Sequence, residues 1–233
     1  MRGLVAVISW GALASLSVAC VGPSRATPSP SVNVVYGFAG LTAEDRNDEV
    51  DSLRATIVWT TAPRAISPYG VSTWIGYAAP TEDNSAGANG VSYRIVQIGL
   101  IQKSPNDFRL FWEWDSSPTD HHFKTGAKVA LGTAVRFEID HDEMGSFTLY
   151  ANEVEQASVR VTWVPTAIGV FAETHSSDDY LPGSQESPAI ISGLDQRVAG
   201  RWARYQGSVL ITNDHYRISN RADGSELVWD SRQ

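Results

Sequence analysis

Apolar and polar residues alternate in short runs along most of this chain, with turn residues between the runs. Residues 71–77 read Val-Ser-Thr-Trp-Ile-Gly-Tyr, residues 93–102 read Tyr-Arg-Ile-Val-Gln-Ile-Gly-Leu-Ile-Gln, and residues 108–114 read Phe-Arg-Leu-Phe-Trp-Glu-Trp. A period of two puts successive side chains on opposite faces, so each run predicts a β-strand. The same pattern predicts strands over 32–39, 53–60, 132–140, 146–152, 157–164 and 168–173. Weaker ones follow over 188–191, 201–205, 209–212, 216–219 and 227–229. Lys103-Ser104-Pro105-Asn106-Asp107 joins two of the runs into a hairpin, and His141-Asp142-Glu143-Met144-Gly145 joins two more. Residues 42–51 predict a loop or one helical turn, 63–68 a Pro-bounded break, 79–90 a long Gly-rich loop, and 175–183 a polar loop. No window carries the apolar stripe of a long helix. So many short strands predict an all-β fold, a two-sheet antiparallel β-sandwich. The pattern leaves open whether residues 195–233 join the sandwich or form an appended strand region.

The opening of the chain does not fit this pattern. Arg2 precedes a nearly unbroken apolar or small run over 4–19, which ends Leu16-Ser17-Val18-Ala19-Cys20. Residues 1–20 therefore read as a secretory signal and not as part of the fold. Cys20 is the chain's single cysteine, so no internal disulfide is available. A small residue before a lone cysteine resembles a bacterial lipobox, although Ser17 stands where lipoboxes usually carry Leu. Ordinary cleavage after Ala19 is the other reading. Lipidation of Cys20 would anchor the protein by two or three chains, enough for stable attachment. Residues 21–31 contain Pro23, Pro28 and Pro30 and read as an extended tether to a domain over 32–233. The expected location is secreted or extracytoplasmic, with membrane contact only through Cys20.

With 233 residues, 42% of them hydrophobic, the chain can build one sizeable core. A net charge of -8 argues against nucleic-acid binding. No phosphate loop, dinucleotide fingerprint or zinc-type Cys/His spacing is present, so no cofactor and no metal are expected. The protein is expected to act as a monomer.

Alternation places Tyr93, Ile95, Gln97, Gly99 and Ile101 on one strand face. Gln97 is then an amide in an apolar row, which costs free energy unless it is hydrogen-bonded. Gly99 leaves space beside it. Glu173 ends the apolar run Gly169-Val170-Phe171-Ala172, where desolvation would raise its pKa and suit it to act as base and acid in turn. An amide can orient a water or support an oxyanion, so Gln97 and Glu173 together would form a metal-free water-activating dyad. The plain alternative is a core or edge glutamine satisfied by backbone groups.

Other groups compete. Glu138-Ile139-Asp140-His141-Asp142-Glu143 matches the Glu-x-Asp-x-x-Glu pattern of jelly-roll glycoside hydrolases, but the turn expected at Glu143 is wrong for a groove strand. Glu173, His175, Asp178 and Asp179 could gather around a hard cation, although without cation-loop spacing they read as a solvated acidic loop. His121 and His122 are adjacent, cannot easily chelate one ion, and read as solvated loop histidines. Trp74, Trp112 and Trp114 are expected to line a groove and stack on a peptide or sugar, with Glu113 between the last two on the opposite face; core packing is the alternative.

Ser72-Thr73-Trp74-Ile75-Gly76, Ile95-Val96-Gln97-Ile98-Gly99 and Phe111-Trp112-Glu113-Trp114 resemble, in order and spacing, three strands of the eqolisin-type glutamic peptidases. The layout Ala172-Glu173-Thr174, followed by Asp179-Tyr180-Leu181-Pro182-Gly183, is similar to that of the related neprosin-type peptidases. The resemblance covers roughly residues 71–183, and the Trp-Ile-Val-Glu segment of eqolisins is missing. It implies a jelly-roll, concanavalin-like sandwich and an acid endopeptidase with catalytic Gln97 and Glu173, contacting substrate through Trp74, Trp112, Glu113 and Trp114. A non-catalytic lectin-like binder of peptide or polysaccharide is the alternative expectation, and a glycoside hydrolase a second.

Overall fold

The computed structural model describes residues 37–45, 49–80, 93–117, 119–142 and 144–233. The signal segment with Cys20, the tether, most of the 79–90 loop and Glu143 lie outside them. Among the described residues the regular structure is entirely β: β1 (Gly37–Glu44), β2 (Val50–Val58), β3 (Val71–Pro80), β4 (Tyr93–Ser104), β5 (Asp107–Ser117), β6 (Asp120–Lys128), β7 (Val135–His141), β8 (Ser146–Ala151), β9 (Val154–Arg160), β10 (Ala167–Thr174), β11 (Ala189–Val198), β12 (Arg201–Arg204), β13 (Ser208–Ile211), β14 (Tyr216–Asn220) and β15 (Glu226–Asp230).

The strands form two sheets. The first has the order β13-β1-β10-β3-β4-β5-β6 and the second β14-β15-β11-β2-β7-β8-β9, with β12 added to β11. Every neighbouring pair is antiparallel. The expected β-sandwich is therefore the observed fold. Two local expectations need correction. Residues 42–44 and 50–51 are strand rather than loop, because β1 continues its ladder with β10 as far as Glu44–Ala167. His121 and His122 sit on β6, which pairs with β5, and not in a loop. Of the C-terminal strands, whose place the pattern leaves open, β13 edges the first sheet, while β14 and β15 extend the second.

The core follows from alternation. Val96, Ile98 and Leu100 of β4 and Ile75 and Tyr77 of β3 face Leu53, Ile57, Phe137, Ile139, Phe147 and Leu149 of the second sheet. Burying each such side chain contributes roughly 1.5–3 kcal/mol. Residues of opposite parity on the first sheet point away from that core. On this outer face Phe38, Trp74, Ile101, Phe111 and Phe171 form a separate buried cluster, with Phe123 and Leu210 packed against it. β3 is consequently buried on both faces along nearly its whole length.

The loop after β10 is braced by the chain's last residues. Asp179 accepts from the Ile66 and Ser67 amides at 2.6 and 2.8 Å and from the Ser67 hydroxyl at 2.7 Å. Arg232 donates to the Ser177 and Asp179 carbonyls at 2.7 and 2.6 Å and pairs with Asp230.

Candidate functional site

The outer face of the first sheet carries both Gln97 and Glu173, and strand register fixes how far apart they stand. Gln97 lies opposite Gly76 on one side and Glu113 on the other. Glu173 lies opposite Ser72, which lies opposite Ile101. The two residues are thus two strands and four residues apart, an offset of about 10 Å across the sheet and about 13 Å along it. Trp74 stands between them on β3. The position of β10 in the row of Gln97 is Gly169, opposite Gly76. A Cβ on Gly169 would come within 2.4 Å of the Phe171 ring, which therefore lies over this residue.

Gln97 meets a different carboxylate. Its Nε2 donates to Glu113 Oε2 at 2.6 Å, directly across the β4–β5 ladder. A carboxylate can only accept, so this contact assigns the NH₂ end of the amide to Glu113. The carbonyl Oε1 is buried and has no hydrogen-bond partner among the described residues. Gln97 itself is 4% exposed, so that oxygen is a desolvated acceptor with its capacity unused. Glu113, whose side chain is 17% exposed, also pairs through Oε1 with His121 Nε2 at 3.1 Å. His121 Nδ1 reaches Asp115 Oδ1 at 2.8 Å, and Asp115 Oδ2 accepts from the Ile95 amide at 3.0 Å.

Glu173 is 7% exposed. Its Oε2 accepts from Trp74 Nε1 at 2.7 Å and from the Ser72 hydroxyl at 3.3 Å. Its Oε1 lies 3.7 Å from His175 Nε2, and His175 Nδ1 meets the Gly70 carbonyl at 2.9 Å. Burial raises the Glu173 pKa above its ordinary value; the Glu113 charge adds to the rise, while His175 and the Trp74 and Ser72 hydrogen bonds oppose it.

The remaining expectations resolve as follows. Trp74 is on the outer face with Gln97, but Trp112 and Trp114 are not. They have the opposite parity, pack against the main core, and in the case of Trp114 stack on His122 at 4.5 Å. Both tryptophans alternate with Glu113, so the face that offers the carboxylate hides the rings. Gly99 opens no gap beside Gln97: a Cβ there would stand 2.0 Å from the Thr73 carbonyl oxygen, so the glycine serves the close approach of β3 to β4. Glu138 and Asp140 lie on β7 in the second sheet, paired with Arg136 and Arg197. Asp179 is consumed by the bonds of its loop, and among the described residues no group of three His, Cys, Asp or Glu is arranged to hold a metal ion. Asp115 is not singled out by the sequence, and His121 is there read as a solvated loop histidine. The signal was present in Glu113-x-Asp115 on one strand face and a histidine at hairpin distance, but only the β5–β6 register joins them.

No family model and no curated protein matches the chain. Solved structures do. A crystal structure of scytalido-glutamic peptidase with a peptide-based transition state analog is 15% identical at a TM-score of 0.54, over 84% of this chain and 99% of that one. SCP-B, a member of the eqolisin family of peptidases in complex with the tripeptide Ala-Ile-His, is 14% identical at a TM-score of 0.57, with the same coverage. One is described as a glutamic peptidase and the other as an eqolisin, so the likeness supports the glutamic-peptidase fold and nothing specific to the neprosin type. At this identity it is a likeness of fold, and the fold of this chain is that of the glutamic peptidases.

Proposed function

We propose that the outer face of the first sheet binds a peptide and hydrolyses it under acidic conditions, with Gln97 at the centre. The observation that carries this reading is the Gln97–Glu113 contact at 2.6 Å beside an unpartnered amide oxygen. In this reading Gln97 Oε1 and Glu113 hold the attacking water, and Glu113 takes its proton. The second N–H of the amide is left for the oxyanion of the tetrahedral intermediate. Glu113, once it holds the water's proton, returns that proton to the leaving amine, while Glu173, two strands and four residues away, stands outside direct reach of the bond being cleaved. This differs from a Gln97–Glu173 dyad in giving the base role to the carboxylate that touches the amide. Digestion of a peptide library from acid to neutral pH tests it, with Gln97→Ala, Glu113→Gln and Glu173→Gln compared by kcat. Full loss in Glu173→Gln with activity retained in Glu113→Gln would return the base role to Glu173.

A second reading is favoured by the absence of a side chain at Gly169, in the row of Gln97, and by the Phe171 ring lying over it. On that reading the face binds peptide or polysaccharide without turnover. Binding in a peptide or glycan screen, with no cleavage at any pH, would select it.

We also propose that the protein is exported and held at a membrane by acylated Cys20, supported by the small residues ahead of that cysteine. Fatty-acid labelling lost in Cys20→Ala would support the anchor; no label in the unaltered protein would remove it and leave secretion as the reading.

A further inference from the structure

We propose that His121 is a positioning residue for Glu113: held as a cation between two carboxylates, it fixes which Glu113 oxygen faces Gln97. The inference rests on the role given above to Glu113. Both ring nitrogens of His121 point at carboxylate oxygens, Nδ1 at Asp115 Oδ1 (2.8 Å) and Nε2 at Glu113 Oε1 (3.1 Å). A carboxylate accepts and does not donate, so both contacts are hydrogen bonds only when the ring carries two protons. Asp115 is itself fixed, because its other oxygen accepts from the Ile95 backbone amide at 3.0 Å. The result is an unbroken line from β4 backbone through Asp115, His121 and Glu113 back to the Gln97 side chain on β4. Each member is oriented by the next.

Charges around the line are few. On its own strand His122 pairs with Asp120 at 3.0 Å and stacks on Trp114, which places it on the other face. From β4, Lys103 lies over the Phe123 ring at 3.8 Å and is close enough to feel Glu113. From β10, the buried Glu173 feels Glu113 as well. The Asp115 hydrogen bond, then that of Glu113, raises the His121 pKa to about 10, against the opposing effect of burial. A ring held charged across the acid and neutral range cannot shuttle protons there. It works as fixed scenery for Glu113, which explains how a histidine with a 55% exposed side chain can still be specific.

The test reads the ring and the carboxylate directly and does not require turnover. In protein labelled at His and Glu side-chain carbons, NMR titration should show His121 titrating near 10. The value should fall by at least one pH unit in Asp115→Asn. The Glu113 carboxyl carbon shift, read at neutral pH, should move in His121→Gln and stay in place in His122→Gln. If peptide cleavage is observed, His121→Gln should lower kcat with KM little changed, and His121→Lys should restore part of the loss. His121 titrating in the ordinary imidazole range, or Glu113 unmoved in His121→Gln, would overturn the proposal. Absence of cleavage with the titrations as expected would count against the hydrolase reading and leave the clamp standing.

Discussion

Glu113 and Glu173 share one face of one sheet, yet their surroundings are opposite. Glu173 sits at the end of β10 beside the aromatic cluster of Phe38, Trp74 and Phe171, with only neutral donors in contact and one imidazole at 3.7 Å. Glu113 sits near the sheet edge on β5, pinned by an amide on one oxygen and an imidazole on the other. Burial favours the neutral form of the first, whereas the contacts of the second all stabilise a carboxylate. Two chemically identical groups are thereby given unlike surroundings. The lesson is that parity placed both on this face, and their neighbours across the ladder decide what each can do.

The contrast can be broken most forcefully through Phe171, which is buried at the centre of the aromatic cluster. Phe171→Ala should cost about 3–5 kcal/mol in chemical denaturation, because a large cavity opens where the ring filled it. A much smaller loss would mean that the cluster is loosely packed and Glu173 well hydrated.

Gln97→Ala is the next largest step. It removes the partner of Glu113 and should lower kcat about a hundredfold or more on a cleaved peptide, with KM little affected. Steady-state kinetics showing a change in KM alone would recast Gln97 as a binding group.

Glu173→Gln sharpens the contrast through pH. The folded-state pKa of Glu173 is raised, so its stabilising contribution is complete below the ordinary value of 4.5 and is lost as pH climbs through the folded value. The variant does not titrate. Its melting temperature should match the unaltered protein in acid and exceed it toward neutral pH, by about 2–4 °C for each kcal/mol of charging cost removed. Parallel curves would show that burial does not penalise this carboxylate.

The smallest effect is expected at the other end. His121→Gln removes a half-exposed ion pair and should cost roughly 0.2–1 kcal/mol. Because the His121 pKa is raised from 6.5 to about 10, that contribution is whole below 6.5 and disappears as pH rises through 10. Denaturation curves at pH 6 and above pH 10 should separate the two proteins only in the first.

Much of this arrangement could be read from alternation. The parity of residues 93–102 put Gln97 on the face away from Val96, Ile98 and Leu100, and the apolar run before Glu173 marked a desolvated carboxylate. Partner choice was not legible, since it depends on register. A sequence reading pairs Gln97 with Glu173 through likeness, whereas the ladder sets Gln97 opposite Glu113 and puts Gly169 in its row on β10. The tryptophans misled for a related reason. A ring is as useful to a core as to a ligand, and only the side on which Trp112 and Trp114 lie distinguishes the two. The C-terminal strands were obscure because short runs such as Ser208–Ile211 acquire meaning only beside β1, far away in sequence.

The brace between Arg232, Asp230 and the loop of Asp179 bears on the order in which the molecule is made. β1 needs β10 and β13 as neighbours, and the Phe38 amide bonds to Thr212. Few of these contacts are local, which slows folding. During synthesis β1 therefore waits for β10 and β13 before its two ladders can form. The Arg232 contacts to the Ser177 and Asp179 carbonyls thus tie down the loop after β10 from a point downstream of all fifteen strands of the described residues.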